Sequence, residues 1–175
     1  LVIGAIGAEP FVPPIEGIGS RNVIYAASMH TLGLMPEGRT VVIGGGLMGC
    51  EEAISLAENG KEAVIVEMTE VIAGEADGGL KQMIDEKIDQ YDISVFKESQ
   101  CKKITDKGVL VQTLSGEEIT LEADTVLVAA GVRAKDAETE KLRNACYAED
   151  LEFISVGDCR KAGRIREATS SGYFA

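Results

Sequence analysis

The residues best suited to chemistry lie between Thr40 and Glu67. Thr40-Val41-Val42-Ile43 runs straight into Gly44-Gly45-Gly46-Leu47-Met48-Gly49, a Gly-x-Gly-x-x-Gly spacing, and Val64-Ile65-Val66 ends on Glu67, 23 positions after Gly44. Each part has a physical task in seating a dinucleotide. Gly44 lets the backbone turn tightly out of a strand. Gly46 has no side chain, so a pyrophosphate can approach the main chain. Gly49 lets the following helix pack close to the sheet. The free N–H groups at the helix start, from Leu47 and Met48 onward, face the phosphates together with the positive dipole end, worth up to ~1–2 kcal/mol for an anion. Glu67 is placed to accept hydrogen bonds from both hydroxyls of an adenosine ribose. Glycine-rich turns that bind nothing are common. The strand before this one, the helix after it and the acid at the end of the next strand set it apart.

Two further stretches carry weaker signals. Phe153-Ile154-Ser155-Val156-Gly157-Asp158 is an apolar strand ending in Gly-Asp, with a helix start at Arg164-Ile165-Arg166-Glu167-Ala168. A carboxylate there can bind a sugar-like hydroxyl while the helix faces a phosphate; Gly157-Asp158 can equally be an ordinary turn. Cys50, Cys101, Cys146 and Cys159 lie far apart with no Cys-x-x-Cys pair, and His30 is the single histidine. No metal site or dithiol centre is suggested. Cys50 sits beside the helix start, which lowers a thiol pKa when exposed; as a small packing residue against the sheet it would be inert. No residue presents itself as a general acid or base.

These residues need a scaffold of alternating strand and helix. Thr40–Ile43 reads as a buried strand, 47–59 as a helix stopped by Gly60, and Val64–Val66 as a strand whose unbroken apolar run suits a parallel sheet covered on both faces. A helix over 80–90 puts Leu80, Met83, Ile84 and Ile88 on one stripe, with Asp77 at its entry, and Ile93–Phe96 follows as a third strand. The alternation then stops. Runs at 102–105, 109–113 and 119–121 are divided by Asp106-Lys107-Gly108 and Ser115-Gly116-Glu117, which predicts an antiparallel meander. Thr125–Ala129 returns as a buried strand ending at Ala130-Gly131. Residues 1–8 read as one strand, the three prolines of Glu9–Pro14 as linker, and 26–34 as a weak helix holding His30 in a connecting region. The predicted fold class is α/β, a Rossmann-like parallel sheet with a meander crossover.

Bulk properties narrow the partners. The chain has 175 residues, 45% hydrophobic and 26% charged, with a formal net charge of −12, which argues against nucleic acid and anionic membrane surfaces. No apolar run approaches the length of a membrane span. Unpaired thiols suit a reducing cytoplasm. The opening Leu1-Val2-Ile3-Gly4 has neither Met nor a positive leader and looks like mid-strand, so the chain is expected to be a piece of a longer protein.

Taken together, these motifs resemble the two-dinucleotide-domain flavoprotein reductases of the pyridine nucleotide-disulfide oxidoreductase superfamily, in which an NAD domain containing a meander is inserted into an FAD domain. By that resemblance, residues 1–37 are a fragment of the FAD domain plus linker, with Ala5-Ile6-Gly7 where Ala-Thr-Gly is usual. Residues 38–131 are the NAD(H)-binding domain, and 132–175 the return into the FAD domain. It implies that Asp158, with Gly157, contacts the flavin's ribityl chain, and that Gly131 lets the chain pass close to the cofactor. Glu51 matches a glutamate near the nicotinamide end; its alternative role is a first-turn acid favouring the helix dipole. Val41–Glu51 and Val156–Cys159 are similar to the C-terminal part of NADH:flavin oxidoreductases of the old yellow enzyme type, 2-enoate reductases among them. In those proteins a flavin-bearing barrel, usually with an iron–sulfur cluster, precedes this region. A second Gly-x-Gly-x-x-Gly for FAD and the paired redox cysteines of disulfide reductases are both absent.

The expected function is the NADH-binding portion of a flavoprotein that passes hydride from NADH to FAD and serves reduction of an activated C=C bond. Glu67 favours NADH over NADPH, because a 2′-phosphate about 4 Å from a carboxylate is repelled by roughly 4 kcal/mol at an effective dielectric of 20. Met68, Thr69 and Glu70 offer no cation to reverse this. The alternative is a non-catalytic NAD-sensing regulatory module. Apolar surface left uncovered by the missing FAD-domain pieces would favour a homo-oligomer.

Overall fold

The computed structural model describes residues 1–175. In chain order it runs β1 (Val2–Gly4), β2 (Ala8–Pro10), β3 (Val23–Tyr25), α1 (Ala26–Leu32), β4 (Thr40–Ile43), α2 (Leu47–Glu58), β5 (Ala63–Val66), α3 (Gly78–Gln90) and β6 (Ser94–Phe96). It continues with β7 (Gln100–Thr105), β8 (Gly108–Gln112), β9 (Glu118–Glu122), β10 (Thr125–Val128), β11 (Val132–Ala134), α4 (Asp136–Ala148), β12 (Phe153–Ser155) and α5 (Ile165–Tyr173). Two compact units result: Val12–Gly131, and Leu1–Phe11 together with Val132–Ala175.

In the first unit a five-stranded sheet has the order β3-β10-β4-β5-β6, with every neighbouring pair parallel. Alternation along the strands explains why they read as unbroken apolar runs. Val42, Ile65 and Leu127 face a core built with Cys50, Ala53 and Leu56 of α2 and Ile84 and Ile88 of α3. Their neighbours Val41, Ile43, Val64, Val66 and Val126 face the opposite side and pack against Cys101, Ile104, Val109, Val111 and Leu121 of the meander β7-β8-β9. Helices thus cover one face and a three-stranded antiparallel sheet the other. Full burial of each such aliphatic side chain contributes about 1.5–3 kcal/mol, so β4, β5 and β10 are the most strongly held elements of this unit. The expected α/β class, a parallel sheet with a separate meander, is what the chain forms.

Strand order reverses at β4. The chain moves outward from β4 to β5 and β6 on one side, while β10 returns on the other. The carboxyl ends of β4 and β10 therefore bound a topological switch point, the crevice where open α/β sheets receive ligands. The strand β3, too short to show a period in the sequence, extends the sheet beyond β10 with Val23–Tyr25 opposite Val126–Val128.

In the second unit β1 pairs in parallel with β12, and β2 pairs antiparallel with β11. The N-terminal stretch is thus two short strands. The second runs into the proline stretch expected to be linker; Pro10 is tolerated because it ends a two-stranded ladder that can spare its donor. Arg133 and Glu9 reinforce that ladder through a 2.7 Å ion pair. Helix α4 was not anticipated: Thr139 is its one buried residue, so it lacks an apolar stripe. Helix α5 exposes Ile165 and Tyr173, and Phe174 just beyond it is exposed too.

Candidate nucleotide-binding site

The glycine turn leaves β4 as soon as the strand ends. Gly44 has φ +106°, and a Cβ on it would stand 2.6 Å from the carbonyl oxygen of Ala129 at the end of β10. Both conformation and crowding demand glycine there. Gly49, in the first turn of α2, approaches still closer: a Cβ would lie 1.9 Å from the Gly44 carbonyl oxygen and 3.2 Å from the Ala129 Cβ. The helix is drawn onto the sheet at the switch point, as the spacing predicts. Gly46 is the N-cap of α2, and no side chain of its own caps the helix.

The donors of this turn meet two carboxylates. The Gly45 N–H donates to Glu67 Oε2 at 2.6 Å, and the Leu47 N–H donates to Glu75 Oε1 at 2.6 Å. Glu67 follows β5, where its main chain is fixed by Glu67 N–H to Phe96 O at 2.9 Å and Ser99 N–H to Glu67 O at 2.8 Å. Its Oε1 accepts from the Thr69 N–H and the Thr69 hydroxyl, both at 2.8 Å. Of the roughly four acceptor positions of an ionised carboxylate, Gly45 and Thr69 use all but one. One position on Oε2 is left over, and Thr69, the partner of Oε1, is exposed.

Glu75 is the residue that sequence reasoning missed. It lies eight positions beyond Glu67 in an irregular segment, and only the folding back of residues 68–77 brings it to the helix. Ile72 and Ala73 anchor that segment: both are buried, and the Ala73 N–H donates to the Gly45 carbonyl at 2.7 Å. The spare N–H expected at Leu47 is engaged by this acid instead of standing open.

Cys50 is fully buried beneath the turn, with its Sγ donating to the Gly45 carbonyl at 3.3 Å. Burial pushes its thiol up to about 11, which outweighs any help from the helix. It is a packing residue. Glu51 is exposed on α2. Its neighbour Glu52 accepts from or pairs with His30 Nε2 at 2.9 Å, and His30 stands largely in solvent. Met48 lies half-buried in the first turn of α2. Gly131, in the link between β10 and β11, has φ +92° with open space where a Cβ would be, so its conformation and not crowding calls for glycine.

Gly157 and Asp158 belong to the other unit. Gly157 has φ +65° and donates its N–H to Ser171 Oγ at 2.8 Å. Asp158 Oδ1 accepts from the Gly163 N–H at 3.2 Å, closing the loop ahead of α5. No group of three or more His, Cys, Asp or Glu side chains is arranged to hold a metal ion. No helix is long and apolar enough to cross a membrane.

Residues 1–152 match the family model described as pyridine nucleotide-disulphide oxidoreductase. Among curated proteins the chain is 34% identical over 175 residues to bilirubin reductase of Mediterraneibacter gnavus, covering 99% of this chain and 26% of that one. It is 33% identical over 177 residues to cinnamate reductase of Clostridium sporogenes, covering 98% and 25%. Among solved structures it superimposes on a 2-naphthoyl-CoA reductase complex with a TM-score of 0.88 and 28% identity, over 98% of this chain and 26% of that one. The chain spans about a quarter of the length of these relatives.

Proposed function

The chain belongs to the pyridine nucleotide-disulphide oxidoreductase family, whose members are NAD(P)H- and FAD-dependent flavoproteins, and on that premise we propose that it is the NADH-binding portion of a flavoprotein oxidoreductase reducing an activated C=C bond. The observation that carries this is the glycine turn at the switch point, with Gly45 donating to Glu67 at 2.6 Å where an adenosine sugar would be met. The turn fits a dinucleotide: a side chain on Gly44 or Gly49 would strike backbone, so the main chain itself is the cradle.

Gly44, Gly46, Leu47, Met48 and Gly49 hold the diphosphate, and Glu67 holds the adenosine ribose. Glu51 sits toward the nicotinamide end, and Gly131 lets the chain pass beside the cofactor. Gly157 and Asp158 serve the flavin in the parent protein. NADH, when bound, supplies the hydride that goes to FAD; the side chains here bind and orient and move no proton, in keeping with cofactor-borne chemistry. The relatives named cinnamate reductase and bilirubin reductase favour the reductase branch, and cinnamate carries a C=C bond conjugated to a carboxylate. The parent protein is proposed to carry an upstream flavin-bearing barrel with an iron–sulfur cluster, for which the greater length of the relatives leaves room, and the exposed Ile165, Tyr173 and Phe174 suit contact with such neighbouring parts or with a second copy. Domain roles follow the same plan, 38–131 for NADH and the flanking 1–37 and 132–175 for the FAD domain.

Fluorescence titration of the chain with NADH and NADPH tests the reading. Saturable NADH binding at least tenfold tighter than NADPH is expected from the carboxylate at Glu67. Equal or tighter NADPH binding would defeat the cofactor assignment, and no binding of either would defeat the function.

A further inference from the structure

The N-terminal end of α2 is already filled by one of the chain's own anions. Glu75 Oε1 takes the Leu47 N–H at 2.6 Å and lies 3.2 Å from the point where a Cβ on Gly46 would stand. Gly46 is the position whose missing side chain opens the main chain to a diphosphate. The carboxylate therefore stands in the same space and uses the same donor that a bound diphosphate requires. Two anions cannot share one donor at contact distance without strong like-charge repulsion.

The segment that delivers Glu75 is buried at its root and exposed at its tip. Ile72 is 3% exposed and Ala73 0%, Ala73 holds the Gly45 carbonyl at 2.7 Å, and the Ala76 N–H returns to Ala73 O at 2.9 Å. Asp77 then caps α3 through the Leu80 N–H at 3.0 Å. Gly74 and Glu75 between these anchors are exposed, and Gly74 has one neighbour within 4 Å of a would-be Cβ, the Val71 side chain at 3.7 Å. Because Glu75 is exposed while Ile72 and Ala73 are buried, a change of its side-chain rotamer would carry the carboxylate off the helix end with the root in place. Glu67 differs: its carboxylate is tied down by Gly45 and Thr69 on the ribose side.

We propose, on the basis of the dinucleotide reading above, that Glu75 is a built-in competitor for the diphosphate: it closes the anion site in the free protein and leaves when a phosphate-bearing ligand enters. A site open for only a fraction of the time binds with an apparent Kd raised by that fraction. The charge-assisted bond to Leu47 by itself sets a closed-to-open ratio on the order of ten to one, so removing the carboxylate should tighten phosphate-bearing ligands by about tenfold or more. Adenosine, which has no phosphate, should be indifferent.

The test compares the 175-residue chain with its Glu75→Ala and Glu75→Gln variants, titrated with NADH, ADP and adenosine, with the Leu47 amide resonance followed by NMR. Glu75→Ala should bind NADH and ADP tighter by about tenfold or more, with adenosine unchanged. Glu75→Gln should fall between, because a neutral amide accepts a weaker bond. The Leu47 amide should differ between wild type and Glu75→Ala when free and coincide when both are saturated with ADP. Wild-type binding of NADH with equal or weaker binding by Glu75→Ala would overturn the competitor role and leave the dinucleotide site standing. Failure of every variant to bind NADH and ADP would remove the dinucleotide reading and the competitor with it.

Discussion

Replacing Gly49 by alanine adds one methyl group where the helix and the glycine turn are closest. Its Cβ would sit 1.9 Å from the Gly44 carbonyl oxygen, a separation that must open to at least 3.0 Å. Neither side gives way readily. Gly44 is held by its N–H on Val66 O at 2.9 Å, and α2 is held by Cys50, Ala53 and Leu56 in the core. Forced overpacking of this kind costs about 1–3 kcal/mol, and in a domain of this size each kcal/mol lowers Tm by about 2–4 °C. A fall of roughly 2–12 °C is expected in a circular dichroism melt. Because the same shift carries the Leu47 and Met48 amides away from the crevice, NADH affinity should drop by about tenfold or more. Gly60→Ala is the matched control: it has φ +73° but no atom within 4 Å of its would-be Cβ. It carries only the backbone strain of a left-handed residue, about 1–2 kcal/mol, and should leave NADH binding untouched. If Gly49→Ala melts with wild type and binds NADH equally well, the tight helix–turn approach is not what builds the site.

Two other outcomes follow from the same geometry. Glu67→Gln keeps the shape but removes the charge facing a 2′-phosphate, so the NADH-over-NADPH preference should collapse by about tenfold or more, read as the ratio of the two Kd values; an unchanged ratio would place the discrimination elsewhere. Cys50 and Cys101 both have thiols pushed up from 9.0 to about 11 by burial. The unfolded chain loses these protons first, so their contribution to stability is whole below about pH 9 and declines as pH rises toward 11, by up to about 2–3 kcal/mol for each thiol. Denaturant melts at pH 8 and 10.5 should show a smaller loss in the Cys50→Ala/Cys101→Ala double variant than in wild type, and parallel losses would refute the assignment.

What could be read from the sequence was whatever burial on two faces had written into it. Thr40–Ile43 is bounded as expected because a central parallel strand is buried at every position, and its neighbours Ile65 and Leu127 obey the same demand. The meander was legible through its turns: Gly108 has φ +141° and Gly116 φ +84°, conformations that select glycine whatever surrounds them. Helix α4 escaped because a helix with little buried surface needs no stripe, although its Ala, Glu, Lys, Leu and Arg content is helix-forming. Strand β3 escaped because Val23-Ile24-Tyr25 is too short for its period to show. Glu67 was visible as an acid at a strand end. Glu75 was not, since nothing local marks it: its partner is 28 residues away and is a main-chain N–H.

That asymmetry bears on how a chain of net charge −12 can offer a seat to a doubly anionic ligand. Long-range charge opposes the approach, and at physiological salt it is screened beyond about 8 Å. Inside that distance the relevant field comes from Gly45, Leu47 and the amides that follow, and each of the first two already holds a carboxylate at 2.6 Å. The donors of the turn are thus satisfied from within the chain, as buried or half-buried amides must be. On the proposed exchange, a phosphate oxygen would replace the Glu75 carboxylate at the Leu47 N–H and conserve that hydrogen bond, so affinity would depend on what the ligand adds at Glu67 and against Gly46. Net charge alone predicts that salt strengthens NADH binding by screening the repulsion; because one anion replaces another at the helix end, the local contacts should add little salt dependence of their own.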